Sequence, residues 1–186
     1  LLDTSRLLFL LGDRYIDLYA FSTSWESTLL ARLFFPEKPI DVAFQDSLIL
    51  IGMEQSVYIY SINRFFEMTY RSTISLNSSY LNQDPLVRLL PPDIGSSAYP
   101  CLIRQNSIAS YNVNNPVQPV LVHELNISVG LTDAVRIGDN IFASSIDRGT
   151  LLIYSPPLSN PVVLDSISLI GHSITGTGSK VALASS

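Results

Sequence analysis

Charged residues are scarce in this sequence, and their scarcity narrows what the chain can bind. They make up 15% of it, against 47% apolar residues, which is the reverse of the balance in a disordered chain. The Lys and Arg residues stand singly and the formal net charge is −5. The basic surfaces that bind nucleic-acid phosphates or anionic lipids are therefore missing. We expect a globular chain with no nucleic-acid partner.

Long apolar runs are also absent. The longest, "LLFLLG" and "LLARLFF", are the length of strands, whereas a membrane helix needs about 18–20 apolar residues. We expect no membrane insertion in this segment. The chain starts with Leu-Leu-Asp instead of Met and has no basic leader, so it is expected to be a processed product or part of something longer.

Cysteine and histidine are too few for common catalytic and metal sites. Cys101 is the single cysteine, which excludes an internal disulfide and a Cys-based zinc site; "YPCLI" predicts a strand that buries it. His123 follows "VLV" and is predicted on the surface of an outer strand, and His172 lies in a connector. Neither stands in a nucleophile or zincin motif.

Other catalytic and ligand-binding motifs are missing as well. Asp133, Asp139 and Asp147 lack the spacing of a calcium loop and are interpreted as turn residues. "GTGS" at residues 176–179 is a hairpin turn and not a phosphate loop. We expect no catalytic residue, no metal and no cofactor, and hence a protein that is not an enzyme.

What the sequence does contain is a repeat. A Tyr near the end of an apolar strand recurs at intervals of about 40–50 residues in "IDLYAFS", "VYIYSIN", "IASYNVN" and "LLIYSPP". These are Tyr19, Tyr60, Tyr111 and Tyr154. After each Tyr comes a polar segment and another strand, which ends at Leu33, Leu76, Leu125 or Leu169.

Ahead of the Tyr strand, the repeat holds two more short strands. Residues 40–53 and 132–146 show the pair most clearly, and residues 173–186 begin it again. Asp, Gly and Ser supply the positive-φ positions that tight hairpin turns require. The predicted turns are Gln45-Asp46, Gly138-Asp139 and Gly178-Ser179.

Four short strands in each repeat predict the blade of a β-propeller. In "SVYIYSI" both alternate sets of residues are largely apolar, as a sheet packed on both faces requires. We therefore predict an all-β fold of four-stranded antiparallel blades in one partial propeller over residues 1–186, part of a larger one. The predicted blades cover residues 1–38, 39–79, 80–128 and 129–170, and a further blade begins at 171–186.

The third repeat carries an insertion that we consider a binding loop. "PPDIGSS" is rich in loop-forming residues, and recognition tends to reside in loops. The candidate binding residues are Pro91, Pro92, Asp93, Ile94, Ser96 and Ser97. An active site would instead need ionisable residues on the innermost strands, where the sequence offers Asp41, Gln45, Asp133 and Arg136.

Two sequons suggest a glycoprotein. "NSS" at Asn77 and "NIS" at Asn126 fit the acceptor pattern for N-glycosylation. Each Asn directly follows the Leu that ends the outer strand, so both occupy the same point of their repeats. A turn-forming role for Asn at this point is the alternative.

Two of the repeats resemble a known family. "NSIASYNVNNPVQPVLVHELN" and "GTLLIYSPPLSNPVVLDSISL" look like the LVIVD repeat of β-propeller proteins, and "TDAVRIGDNIFASS" is similar to its third part. The resemblance implies a propeller of the kind found on secreted or surface-displayed proteins, with no catalytic residue.

Together these features predict a non-enzymatic scaffold of an extracellular or cell-surface glycoprotein. It would bind a protein or glycan partner, serve in adhesion or structural assembly, or associate with other copies or segments of the same assembly. The alternatives are an intracellular protein-interaction platform and an enzyme whose site lies on blades outside this chain.

Overall fold

Every regular element in the described part of the chain is a β-strand. The structure, a computed structural model, describes residues 7–22, 24–76, 84–92, 99–128, 130–138, 140–145, 152–154, 173–177 and 180–184. The prediction of an all-β chain is confirmed.

The strands form five antiparallel sheets, in each of which the strands follow one another in chain order. Sheet 1 contains β1 (Leu7–Leu11), β2 (Tyr15–Phe21) and β3 (Ser27–Phe34). Sheet 2 contains β4 (Asp41–Gln45), β5 (Leu48–Gly52), β6 (Ser56–Ile62) and β7 (Met68–Ser75). Sheet 3 contains β8 (Leu86–Leu90), β9 (Cys101–Arg104), β10 (Ser107–Asn112) and β11 (Val120–Asn126). Sheet 4 contains β12 (Leu131–Ile137), β13 (Asn140–Ser145) and β14 (Leu152–Tyr154), and sheet 5 contains β15 (Ser173–Thr177) and β16 (Lys180–Ala184).

Sheet 2 buries both of its faces, each against a different neighbour. Leu50 packs in one cluster with Leu89 and Leu102 of sheet 3. Ile49 packs on the opposite face, in a cluster with Leu18 of sheet 1. Successive residues of a strand point to opposite faces, so a run of consecutive apolar residues is what a sheet between two others needs.

Sheet 3, the next sheet along the chain, also buries both of its faces. Leu102 faces sheet 2, whereas Ile103 joins a cluster with Leu131 and Ile141 of sheet 4. The hydrophobic core is therefore a series of layers between sheets, and the outer strands β3, β7 and β11 are mostly exposed. This is the packing that a propeller blade requires, and it agrees with the predicted fold class.

The repeating Tyr marks the same irregularity in three sheets. The pairing between the outer strand and the strand before it shifts register at Leu18/Tyr19 in sheet 1, at Ile59/Tyr60 in sheet 2 and at Ser110/Tyr111 in sheet 3. In each case one residue of the outer strand has no partner in the register of the adjacent strand, which is a β-bulge. Bulges increase the local twist of a strand, so each Tyr lies at a point where the twist of its sheet increases.

Backbone hydrogen bonds connect neighbouring sheets at their first strands. The Leu86 N–H donates to the Glu54 carbonyl at 3.0 Å, and the Leu131 N–H donates to the Gln105 carbonyl at 2.7 Å. Each acceptor lies in the turn between the second and third strands of the preceding sheet. A Cβ on Gly52 would overlap the Leu86 side chain, so sheets 2 and 3 approach closely because that position is glycine.

One predicted hairpin turn lies a residue further along than expected. Gln45 pairs with Leu48, so the turn consists of Asp46 and Ser47 and not of Gln45 and Asp46. Asp46 has a φ of 53°, which Asp tolerates better than Gln. Gly138 has a φ of 58° in the second turn, whereas Asp139, Gly178 and Ser179 lie outside the described residues.

The layered core makes the cost of a cavity predictable. Leu50 is fully buried between sheets 2 and 3, so we expect Leu50→Ala to lower the free energy of unfolding by about 2–5 kcal/mol. Urea denaturation followed by circular dichroism measures this. Leu121→Ala, on exposed β11, is the control and should change stability by less than about 1 kcal/mol. Equal effects of the two substitutions would contradict the layered core.

Candidate functional site

Charged residues stand at one equivalent position of three successive first strands. Asp41 of β4 pairs with Gly52, Arg88 of β8 with Ile103, and Asp133 of β12 with Ser144. In β8 and β12 the charged residue directly follows a register shift. We call Asp41, Arg88 and Asp133 the inner-strand cluster, because first strands are innermost in a propeller.

Arg88 connects the two aspartates across three sheets. Its Nε and Nη2 atoms lie 2.9 Å and 2.8 Å from Asp133 Oδ1, and its Nη1 lies 4.0 Å from Asp41 Oδ1. The carboxylate of Asp41 also accepts a hydrogen bond from the Leu89 N–H at 2.8 Å. The cluster therefore joins sheets 2, 3 and 4 through side chains, in addition to their apolar layers.

The surroundings of the cluster are partly buried. The Arg88 side chain is 39% exposed, whereas those of Asp41 and Asp133 are 17% and 9% exposed. Burial raises the pKa of Asp41, and the hydrogen bond from Leu89 and the charge of Arg88 oppose that rise. The cluster thus contains two carboxylates that accept hydrogen bonds from backbone amides and one guanidinium that is partly exposed to solvent. Such a set of groups can bind a polar ligand or hold the sheets together.

The other two predicted inner-strand residues do not join the cluster. Arg136 Nη1 donates to the Tyr99 carbonyl at 2.9 Å and its Nε to the Gly138 carbonyl at 3.2 Å, so it fixes the end of the loop between β8 and β9. Gln45 has a buried Oε1 without a hydrogen-bond partner among the described residues.

The structure places some of the predicted binding and glycosylation residues. Pro91 and Pro92 are half-buried at the end of β8, and Asn126 is exposed at the end of β11. Asp93, Ile94, Ser96, Ser97 and Asn77 lie outside the described residues.

The structure also shows where the single residues lie whose side chains could take part in catalysis. Cys101 is buried, as predicted, and burial raises the pKa of its thiol to about 11, which suppresses thiolate chemistry. His123 is exposed on β11, as predicted. Asp133 corrects the sequence interpretation: it is buried within β12 and paired with Arg88, so it is not a turn residue. His172, Asp139 and Asp147 lie outside the described residues.

A buried ion pair that the sequence analysis missed fastens the connector between sheets 2 and 3. Arg104 Nε lies 3.2 Å from Asp84 Oδ2, and its Nη2 donates to the Leu76 carbonyl at 3.0 Å. The Ser107 hydroxyl also donates to Asp84, at 2.7 Å. Because these groups satisfy one another, we assign them a structural role. Nothing in "CLIRQNS" distinguishes a buried Arg from an exposed one.

A cleft of about 650 Å³ opens where the connector between sheets 1 and 2 passes the turns of both sheets. Its lining carries both signs of charge: Asp13, Arg14, Pro36, Glu37, Lys38, Ile40 and Glu54.

In the part of the chain that the structure describes, no three His, Cys, Asp or Glu side chains are grouped as metal ligands would be. Those residues also include no helix with the length and apolar character of a membrane span.

Comparison with solved structures identifies the fold class as a β-propeller. The chain is similar to a Bacteroides fragilis protein assigned as a 6-phosphogluconolactonase, with a TM-score of 0.68, 11% identity and coverage of 100% of this chain and 56% of that one. It is also similar to a Lactobacillus plantarum protein, with a TM-score of 0.65, 15% identity and coverage of 87% and 52%. The computationally designed Ika4 protein matches with a TM-score of 0.56, 9% identity and coverage of 78% and 84%.

At these identities the likeness shows the fold alone. The chain spans about half the length of the first two structures, 56% and 52%. No protein-family model matches the sequence, so the propeller is supported and the finer resemblance to the LVIVD repeat is not. No curated protein matches it either.

The prediction that the chain is not an enzyme is contradicted by this likeness, because a structure assigned as an enzyme has the same fold, and the fold therefore gives no ground for excluding catalysis. That prediction depended in part on how few ionisable residues the sequence offers on the innermost strands. The structure instead brings Asp41, Arg88 and Asp133 together there. The sequence does not show that Arg88 belongs with them, because "PLVRLL" matches "IDVAFQ" and "TDAVRI" only through the register of the strands, which shifts just before Arg88.

The inner-strand cluster predicts that the loss of stability in an Arg88 variant depends on pH. Arg88→Met removes the cation near Asp41, so the folded pKa of Asp41, which burial already raises, rises further. A carboxyl group with a raised folded pKa binds protons more tightly in the folded state, so the loss of stability is largest above that pKa and shrinks as the pH falls through it. We expect a deficit of about 1–3 kcal/mol at neutral pH and a smaller one near pH 4.

Urea denaturation at the two pH values measures the difference. Arg71→Met is the matched control, because Arg71 is exposed and its Nε donates only to the Ser61 hydroxyl among the contacts that the structure gives it, at 2.7 Å. A deficit for Arg88→Met that is the same at both pH values would contradict charge coupling within the cluster.

Proposed function

We propose that the chain is the binding platform of a β-propeller protein at the cell surface or outside the cell, and that it binds a protein or glycan partner with one edge of its sheets. We call this edge the turn edge. It consists of residues 63–67, between β6 and β7, residues 113–119, between β10 and β11, and residues 91–92 and 99–100, which follow β8 and precede β9.

The observation that carries the proposal is a pair of exposed apolar side chains on this edge. Phe65 is 67% exposed and Val117 is 62% exposed, each in the turn between the third and fourth strands of its sheet. The Ser72 hydroxyl of β7 donates to the Pro116 carbonyl at 2.6 Å, which holds the second turn against sheet 2. Exposed apolar side chains on loops are typical of binding surfaces.

The first of these turns is held in one conformation. Asn63 Oδ1 accepts hydrogen bonds from the N–H groups of Phe65, at 2.8 Å, and Glu67, at 3.0 Å. Phe66 has a φ of 63° and packs against the core between sheets 1 and 2. Positive φ is strained for a bulky residue, and this conformation buries Phe66 while Phe65 stays exposed. A fixed aromatic anchor loses little entropy on binding.

A ring held in this way suits contact with a partner protein. An exposed aromatic anchor can fill an apolar pocket of a partner protein. The guanidinium of Arg64 lies 4.8 Å from the centroid of the Phe65 ring, so a cation already covers part of the ring. The predicted loop contributes Pro91 and Pro92 to the same edge, because β8 ends there.

Site-specific photo-crosslinking tests the turn edge. A benzophenone amino acid at position 65 of the secreted protein should form a covalent adduct with its partner on the producing cells or in their medium. The same amino acid at position 105 is the control, because Gln105 is exposed in the turn between β9 and β10, on the opposite edge. For a glycan partner, a glycan array should show binding that Phe65→Ala lowers at least about tenfold.

Equal labelling from positions 65 and 105, together with unchanged glycan binding by Phe65→Ala, would overturn the proposal. Circular dichroism of Phe65→Ala must show the parent spectrum, since the ring makes no buried contact that the fold needs.

The extracellular location is supported by the exposure of Asn126 at the end of β11, where a glycosyltransferase can reach it. Expressed through a secretory route, the protein should carry a glycan that peptide N-glycosidase removes, with a mass shift that Asn126→Gln reduces or abolishes. Asn77→Gln reports the second sequon. Native eukaryotic protein with both sequons unmodified would favour the intracellular platform instead.

A further inference from the structure

The cleft between sheets 1 and 2 is lined by charges that the rest of the protein leaves unpaired. Its volume of about 650 Å³ is within the range of sites that hold small ligands. Five charged side chains line it, and in the part of the chain that the structure describes none of them forms an ion pair or a side-chain hydrogen bond. We call this cavity the charged cleft, and its charged residues are Asp13, Arg14, Glu37, Lys38 and Glu54.

The next connector along the chain uses its charge differently. Between sheets 2 and 3, Asp84 of the connector pairs with Arg104 of β9, and the two side chains are 9% and 6% exposed. Between sheets 1 and 2, the connector carries Glu37 and Lys38, which are exposed and bond to no other described side chain. The charges of the second connector therefore help to hold two sheets together, whereas those of the first connector are free to meet a ligand.

Backbone hydrogen bonds fix the walls of the charged cleft. The Phe35 N–H donates to the Arg14 carbonyl at 2.8 Å, and the Ile40 N–H donates to the Gly52 carbonyl at 2.8 Å. Phe35 and Met53, which adjoin lining residues in the chain, are buried in the core between sheets 1 and 2. The backbone of the cleft is thus held in one arrangement before a ligand arrives, so that little ordering opposes binding.

Two of the acids stand at equivalent points of the repeat. Asp13 lies in the turn between β1 and β2, and Glu54 lies in the turn between β5 and β6. Counted back from the repeating Tyr of each sheet, the two acids occupy the same position, which in sheet 3 is occupied by Gln105. Among sheets 1 to 3, an acid therefore stands at this position only in the two sheets that border the cleft.

A cavity with both signs of charge is complementary to a ligand that carries both. Arg14 and Lys38 can bind a carboxylate, and Arg can do so through two N–H groups at once. Asp13, Glu37 and Glu54 can bind an ammonium or guanidinium group. Because the acids outnumber the bases, the lining favours a ligand with more cationic than anionic groups.

We propose that the charged cleft binds a basic amino acid through its carboxylate and its cationic side chain, either as the free molecule or as the C-terminal residue of a peptide. Both sources present a carboxylate and a cation on one residue, which is the chemistry that the lining complements. The proposal uses no residue of the turn edge, so it stands or falls independently of the proposed function.

Isothermal titration calorimetry on the purified chain tests the site, with free arginine, the peptide Gly-Gly-Arg, its C-terminal amide and Gly-Gly-Leu as probes. We expect free arginine or Gly-Gly-Arg to bind, and the amide and Gly-Gly-Leu to bind at least about tenfold more weakly, because each lacks one of the two charged groups. Lys38→Met and Glu54→Gln should each weaken binding at least about tenfold. Arg71→Met and Asp46→Asn, matched changes of exposed residues outside the cleft, are the controls and should leave the affinity unchanged.

Urea denaturation separates loss of binding from loss of the fold. Because the side chains of Lys38 and Glu54 bond to nothing else among the described residues, both variants should keep the denaturation midpoint of the parent. Tighter binding of free arginine than of Gly-Gly-Arg would assign the site to the free amino acid, and the reverse order would assign it to a peptide C-terminus. Absence of binding heat from both probes at millimolar concentration, or an affinity that neither variant changes, would overturn the proposal.

Discussion

The fold depends on sheets that are apolar on both faces. Ile49 and Leu50 are neighbours in β5, point to opposite sides and are both fully buried, so sheet 2 cannot leave either face in water. At about 25 cal/mol per Å² of apolar surface removed from water, the stacking of sheets supplies the main stabilisation. Because sheets 2 and 3 each need a neighbour on both faces, the chain forms layers, and these layers bring the first strands side by side.

Polar interactions follow from this stacking and do not direct it. The inner-strand cluster exists because the layers place Asp41, Arg88 and Asp133 at one register in adjacent first strands. Arg104 and Asp84 similarly pair where the connector between sheets 2 and 3 is pressed against β9. Buried charges of this kind cost desolvation energy unless they are paired, so their pairing is a requirement that the apolar packing imposes.

Much of the fold was predictable because its signals are local and periodic. The Tyr repeat predicts strands at the correct phase, and Tyr19, Tyr60 and Tyr111 indeed lie at matching bulges. The site was less predictable, because Arg88 gains its meaning only from the register of β8 against β4 and β12. The sequence placed Asp133 among the ionisable residues of the innermost strands and also allowed its interpretation as a turn residue. Its burial depends on contacts with a strand about 45 residues away, as its hydrogen bond to Arg88 shows.

The layered core also determines how the molecule loses its structure. Leu102 belongs to the layer between sheets 2 and 3, and Ile103 to the layer between sheets 3 and 4. Sheet 3 therefore cannot unfold without exposing one apolar face of sheet 2 and one of sheet 4. Such nearest-neighbour coupling means that the local stability of sheet 3 includes the contact energy of both layers.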